Sequence, residues 1–255
     1  MSEVPLAKIR MQTPTLSSGR SKLSAEDVTT LAAYGARTTW PVNFLIYQRA
    51  AEADGISVVL RGHVVLRNRA RNGRSFVPAI IIPGETFGIE GLSPEAVYVT
   101  DAYASDEAET LFVSGSQFRA FVRENPGQAI NVIGQMMSER AALLAKLHAM
   151  ASQNVEQRLA CALRRLAADR SFLAKDGRLR LELKHHRLLC EMVGATRESI
   201  ALALGRLVGS GIAERKGMVL LVAPKRLAEH ISADSVDSDG GLPLARETAR
   251  PSATG

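Results

Sequence analysis

The stretch LLCEMVGATRESIALALGRLVGSG, Leu188 to Gly211, constrains the fold of this chain more than any other. Leu188, Leu189, Met192 and Val193 fall on one helical face. Gly194 suits the positive-φ position that ends a helix, and Thr196 suits the N-cap of the next. Ile200, Leu204 and Leu207 then recur at the spacing of a buried stripe. Arg197, Glu198, Ala201 and Leu202 lie on the opposite face. Two short helices joined by a tight turn, with polar side chains at the leading end of the second, predict a helix-turn-helix whose first-turn residues meet base edges. An ordinary helical hairpin with a solvated turn shares this pattern. The sequence that follows favours the first reading. An apolar run, Met218 to Val222, comes after a loop, Gly211 to Gly217, that holds Arg215 and Lys216. This predicts a winged helix with a basic tip placed to reach a phosphate backbone.

Charge is concentrated in the same region. The chain carries a formal charge of +6 over 255 residues. Residues 154–231 hold 15 Lys and Arg against 8 Asp and Glu, and the rest of the chain is close to balanced. A basic surface supplies the salt-dependent, sequence-independent part of DNA affinity, although a merely solvated basic surface would have the same composition. The two cysteines, Cys161 and Cys190, are too few for a four-thiolate iron–sulfur cluster within one chain. They read as small buried hydrophobes. No apolar run reaches the roughly 20 residues that span a bilayer, and no secretory signal is evident. A cytoplasmic protein without a membrane partner is expected.

Taken in order, residues 1–22 are polar and read as a disordered arm. A short helix follows Leu23, with Ser24 as N-cap and Asp27 three residues on. From Trp40 to Val113, short β-prone runs alternate with turns: 43–47, 56–60, 63–67, 76–82, 97–102 and 110–113. Asn72-Gly73 between two of them is a hairpin signal, and strands at such spacing suggest a small barrel or roll. A turn or two of helix at Gln117–Arg123 precedes Pro126, which opens a long helix. On it Ile130, Ile133, Met137, Leu144 and Leu147 keep a heptad-like spacing interrupted by Arg140. This predicts a coiled-coil dimer seam, with a helix that merely covers the roll as the alternative. An amphipathic helix at Asn154–Asp169 and a strand at Leu179–Leu183 lead into the helix-turn-helix. His185 and His186 have no Cys, Asp or Glu spaced to make a metal site with them. The fold class is therefore α+β. A β-roll sensor (23–124), a dimerisation helix (125–152) and a winged helix-turn-helix (153–231) lie between the arm and a second disordered segment, 232–255.

Three motifs carry a family resemblance. Gly194-Ala195-Thr196-Arg197-Glu198-Ser199-Ile200 resembles G-x-[ST]-R-E-[ST]-V. Arg61-Gly62-His63-Val64 resembles K-G-x-V, and Gly84-Glu85-Thr86-Phe87-Gly88 resembles G-[DE]-x-[FI]-G. Together they are similar to the cyclic-AMP receptor protein / fumarate–nitrate reduction regulator (CRP/FNR) superfamily over about Leu23 to His230. The resemblance implies a homodimeric transcription regulator, not an enzyme, with double-stranded DNA as partner and RNA polymerase beside it. Two recognition helices would enter successive major grooves of a palindromic operator, about 34 Å apart. Arg197 would read guanine and Glu198 would accept from cytosine. Thr196, Ser199, His186 and Arg187, with Arg215 and Lys216 of the wing, would hold phosphates.

The departures are informative. Leu202 replaces a second arginine common in the cyclic-AMP branch. It cannot donate a hydrogen bond but can meet a thymine methyl, so the operator core should differ. In cyclic-nucleotide binders a Gly-Glu step holds the ribose and an Arg-Ser or Arg-Ala step clamps the phosphate. Here those places read Gly88-Ile89, with Glu90 one residue late, and Val99-Thr100. No Lys or Arg occurs from Ser75 to Phe118, so a buried phosphate would lack its cation. Leu143 and Leu144 stand where that branch has adenine-contacting polar groups. Control by cyclic AMP is not expected and the cofactor is unassigned. Arg140, turned toward the roll, could hold another anion, and His63 or His148 could serve haem, although surface or core roles suit all three. Arg67, Arg69, Arg71 and Arg74 read as a solvated basic hairpin or an anion site. An effector-free DNA-binding or polymerase-partner protein of the same fold is the alternative function.

Overall fold

The computed structural model describes residues 21–182 and 185–237. Helix α1 (Ala25–Ala32) starts as its sequence dictates. Ser24 Oγ accepts from the Asp27 amide at 3.0 Å and the Asp27 carboxylate accepts from the Ser24 amide at 3.1 Å, a reciprocal cap. Eight strands follow: β1 (Ala36–Trp40), β2 (Leu45–Tyr47), β3 (Gly55–Arg61), β4 (Val64–Arg69), β5 (Ser75–Ile81), β6 (Thr86–Phe87), β7 (Asp101–Ala104) and β8 (Ala108–Ser114). They form two four-stranded antiparallel sheets, ordered β1-β8-β3-β6 and β2-β7-β4-β5. Asn72-Gly73 turns the β4–β5 hairpin, with Gly73 at φ +78°. Two strands go beyond the sequence pattern. β1 and β6 are held by pairing with distant strands, β1 with β8 and β6 with β3, which local pattern does not report.

Helix α2 (Gly115–Glu124) is capped by Ser114 and Gln117, as α1 is by its own pair. Pro126 opens α3 (Pro126–Ser152), where its missing N–H costs nothing. Its 27 residues span about 40 Å. One side faces the roll and buries Ala129, Val132, Gln135 and Glu139. The other side exposes Ile130, Ile133, Met137, Leu144 and Leu147, between 45% and 68% open, so the stripe expected from the heptad spacing is apolar and uncovered in one protomer.

Helix α4 (Val155–Ala167), capped by Asn154 and Gln157, opens the last unit. Strand β9 (Leu179–Glu182) follows; Leu183, expected to end it, lies outside the described residues. Then come α5 (His185–Val193), α6 (Arg197–Gly209), β10 (Ala213–Lys216), β11 (Val219–Val222) and α7 (Pro224–Asp237). β10, β11 and β9 form an antiparallel sheet in that order. Two expectations need correction. The segment read as the Gly211–Gly217 loop is largely β10, because Ala213 buries against the core and pairs with Val222. Arg215 and Lys216 therefore sit on a strand, with the turn at Gly217-Met218. The segment read as a disordered tail from Ser232 begins inside α7, which runs to Asp237. The remainder, 238–255, and residues 1–20 of the arm lie outside the described residues.

The roll and the winged helix share one core. Val65, Val77, Ile80 and Ile82 of the β4–β5 region pack with Leu159, Leu163 and Leu166 of α4 and with Leu189 of α5. Burying a side chain of this size stabilises by about 1.5–3 kcal/mol, so docking of the two units is an apolar event first. Charges then define it. Arg165 of α4 reaches the fully buried Glu85 at 2.6 and 2.7 Å, and Arg67 of β4 meets Glu191 of α5 at 3.0 Å.

Candidate nucleic-acid interface

Cys190 on α5 accepts two backbone bonds at its carbonyl, from Gly194 at 2.9 Å and Ala195 at 3.2 Å, which closes the helix. Gly194 takes φ +68°, a conformation only glycine adopts freely. The chain then turns and Thr196 caps α6, its Oγ1 accepting from the Ser199 amide at 3.2 Å. Ile200, Ala203, Leu204 and Leu207 bury the inner face of α6. The outer face is left to Arg197, Glu198, Ala201 and Leu202, all exposed, with Leu202 at 61%. A large aliphatic side chain this open has little packing role within the protomer.

The first turn is chemically polarised. Free N–H groups and the helix dipole favour an anion there. The amide of Glu198 and the Thr196 hydroxyl hold the Glu198 carboxyl below its usual range, so it is an ionised acceptor at neutral pH. The Thr196 hydroxyl lies 3.1 Å from Ser199 Oγ and is committed locally, which leaves the Ser199 hydroxyl as the freer donor. On α5, Arg187 is exposed and pairs with Glu191 at 3.0 Å, and His186 Nδ1 lies 3.7 Å from Cys190 Sγ. On the wing Arg215 and Lys216 are exposed, with Lys216 3.4 Å from Glu214. Of the residues expected from sequence to contact DNA, Arg187, Thr196, Arg197, Glu198, Leu202, Arg215 and Lys216 are exposed, and His186 and Ser199 are half-buried. Burial pushes both Cys161 and Cys190 thiols up, which keeps them protonated and inert.

Residues 39–125 match the cyclic nucleotide-binding domain family and residues 157–230 match the Crp-like helix-turn-helix domain family. The chain belongs to the CRP/FNR superfamily. It is similar to the cyclic AMP receptor protein of Thermus thermophilus, 23% identical over 210 residues that cover 82% of this chain and 94% of the relative. Among solved structures it resembles the c-di-GMP responsive regulator CLP of Xanthomonas campestris, with a TM-score of 0.66 at 18% identity, covering 78% of this chain and 99% of that one. It also resembles FixK2 of Bradyrhizobium japonicum, with a TM-score of 0.64 at 19% identity, covering 76% and 96%. The chain is a CRP/FNR-family transcription regulator with a DNA-binding helix-turn-helix, not an enzyme. Among the described residues no helix is long and apolar enough to cross a membrane.

Aromatic side chains stack inside the roll of this CRP/FNR protein. Tyr47 and Tyr98 stack with ring centroids 3.6 Å apart and planes 7° from parallel, and Phe87 lies 5.9 Å from Tyr47. Gly88, at φ +70°, is buried against them, and a Cβ there would meet Tyr98 at 3.2 Å. Burial, then the charge of Glu90, drives the Tyr47 phenol far above its usual range, with Thr100 opposing. Burial with Asp54 and Glu90 pushes Tyr98 up to about 12. Thr86 donates to Gln135 of α3, both buried. The half-buried carboxylate of Glu90 thus acts on both rings.

Of the residues expected to line an effector pocket, Gly88, Glu90 and Thr100 meet around the tyrosines. Three do not. Ile89 packs toward the cluster under α2 and α3. Val99 is 58% exposed, though its amide donates to Glu90 at 3.4 Å. Arg140 is exposed on the outward stripe of α3 with Met137 and Leu144, away from Gln135 and Glu139, which face the roll. His148 is exposed on α3, and His63 is turned outward to Asp106 and Asp169, so neither lines the interior. Sequence reasoning missed Tyr47, Tyr98, Gln135 and Glu139. The last two did carry a signal: they sit four apart on the face opposite the apolar stripe of α3.

Proposed function

We propose that this regulator acts as a homodimer on a palindromic operator, with the two α6 helices in successive major grooves. The observation that carries the reading is the outer face of α6. Arg197, Glu198 and Leu202 stand free of the protomer while Ile200, Leu204 and Leu207 anchor the same helix in the core. A rigid rod with exposed donor, acceptor and methyl-bearing groups suits direct readout of base edges. Arg187, Ser199, Arg215 and Lys216 flank it as phosphate contacts. Dimerisation is supported by the uncovered stripe on α3, Ile130, Ile133, Met137, Leu144 and Leu147, whose spacing of three and four is interrupted once, at Arg140.

The same reading makes cyclic AMP a poor ligand. Stacked tyrosines stand beside Gly88, Glu90 and Thr100, and the neighbouring charges are those of Glu90, Glu139 and Asp54. An incoming phosphate would meet the Glu90 carboxylate beside the stacked rings. The Tyr47–Tyr98 stack against Gly88 favours an effector-free mode over small-molecule control. The test is operator selection from a random duplex pool, followed by gel-shift titrations. The wild type should bind a palindrome with a steep salt dependence. Arg197→Ala should lose about 1–3 kcal/mol and relax preference at one symmetric pair of positions. Equal affinity of both proteins for every duplex would refute the reading.

A further inference from the structure

His63 sits where the roll meets the DNA-binding unit, and it is only 6% exposed. Gly62 places it, at φ +70°, in the turn between β3 and β4. Its amide donates to Asp106 Oδ1 at 2.7 Å, which fixes that carboxylate within the roll. Its Nδ1 lies 2.5 Å from Asp106 Oδ2. Its Nε2 lies 3.2 Å from Asp169 Oδ2 and 3.1 Å from Ser171 Oγ, and both of those residues belong to the segment that follows α4. Asp169 is itself locked in place, its Oδ1 accepting from the Ser171 amide at 2.8 Å. The Phe172 ring, 5.1 Å from His63, completes the enclosure, and on its far side lies His185, the first residue of α5, at 5.8 Å. Nearby Arg61 pairs with Glu107.

The decisive feature is that a carboxylate faces each ring nitrogen. A neutral imidazole carries one N–H and one lone pair. In the neutral Nδ1–H form the ring still donates to Asp106, while its Nε2 lone pair can accept only from the Ser171 hydroxyl, and the bond to Asp169 is lost. Only the imidazolium donates to both. One of its partners belongs to the roll and the other to the winged-helix unit. Among the described residues, Glu85–Arg165 and Arg67–Glu191 also tie the roll to the winged-helix unit through charge, and neither contains a histidine.

We propose that His63, Asp106 and Asp169 form a proton-dependent clasp that holds the DNA-binding unit on the roll and loosens it as pH rises. The direction follows from linkage. Burial disfavours the charged ring, but Asp106 and Asp169 more than offset it, and His63 titrates above its usual value. Asp169, with Ser171 and His63 outweighing its burial, titrates below its own. When the units separate, His63 keeps Asp106 and loses Asp169, which lowers its pKa, while rehydration of the ring raises it; the clasp takes the loss of Asp169 as the larger effect. A group whose docked pKa is the higher one contributes to docking fully below the undocked value and loses that contribution as pH rises through the docked one. The clasp is therefore closed in mild acid and weakens above neutrality.

The test uses the full chain and hydrogen exchange, corrected for intrinsic rates, in peptides covering residues 61–68 and 168–174 between pH 6 and 9. In the wild type, protection of both peptides should fall together with pH, about tenfold for each unit separating the docked and undocked titrations of His63. His63→Gln should show weaker protection that does not vary with pH. Asp169→Asn keeps an acceptor and removes the charge, so the midpoint should move to lower pH with the fold intact by circular dichroism. Flat wild-type protection would overturn the clasp. So would wild-type pH dependence in His63→Gln, or an unmoved midpoint in Asp169→Asn.

Discussion

Replacing Arg165 by Ala removes the cation that holds the roll to α4. Glu85 is 0% exposed, and its carboxylate meets Arg165 Nη2 at 2.7 and 2.6 Å, with the Ile82 amide donating to it at 3.2 Å. The same Arg165 nitrogen also donates to the Ile80 carbonyl at 3.0 Å. The variant leaves a buried carboxylate with one amide donor and no counter-charge. Breaking such a pair from one side costs about 3–5 kcal/mol, because the remaining charge stays desolvated. Undocking to rehydrate Glu85 would be no cheap escape, since Val65, Val77, Ile80 and Ile82 would lose their partners in α4 and α5. Urea denaturation followed by far-ultraviolet circular dichroism measures the loss. The control is the charge-free pair Glu85→Gln with Arg165→Met, which needs no cation and should lie within about 1–2 kcal/mol of the wild type. If Arg165→Ala cost under about 1 kcal/mol, like an exposed pair, Glu85 would not be the buried, singly compensated charge inferred for it. A double variant as unstable as Arg165→Ala would show that packing, not charge, sets the cost.

Leu202→Arg should change the bases preferred at one symmetric position of the operator, gaining about 1–3 kcal/mol for guanine there, as read by selection from random duplexes. Removing both Arg215 and Lys216 by alanine substitution should lower the slope of log affinity against log salt by roughly 0.9 for each phosphate no longer neutralised, evenly across operator variants. Ile133→Glu with Leu144→Glu should turn a dimer into a monomer in analytical ultracentrifugation, because the charges fall on the apolar stripe of α3, and operator affinity should fall with it. Calorimetric titration with cyclic AMP should give no heat of binding at micromolar ligand; saturable binding would mean that the Tyr47–Tyr98 stack opens.

Much of this protein could be read from its residues. Ser24 with Asp27 announced a helix start, because a cap is chemistry confined to four consecutive residues. Gly194 and Thr196 marked the turn before α6 for the same reason, and the apolar stripe of α3 was visible because helical spacing is local geometry. The exposed face of α6 followed from the one that had to be buried. The tertiary structure alone decided what meets across long separations. β1 exists because β8 pairs with it, and Arg215 and Lys216 lie on a strand because Ala213 pairs with Val222. Arg140 proved to face away from the roll because one helix must serve two surfaces. His63 and Asp169 are 106 residues apart, and Glu85 and Arg165 are 80 apart; no periodicity links them. They meet because the roll and the winged helix bury one apolar core in common, and that burial sets which charges face each other.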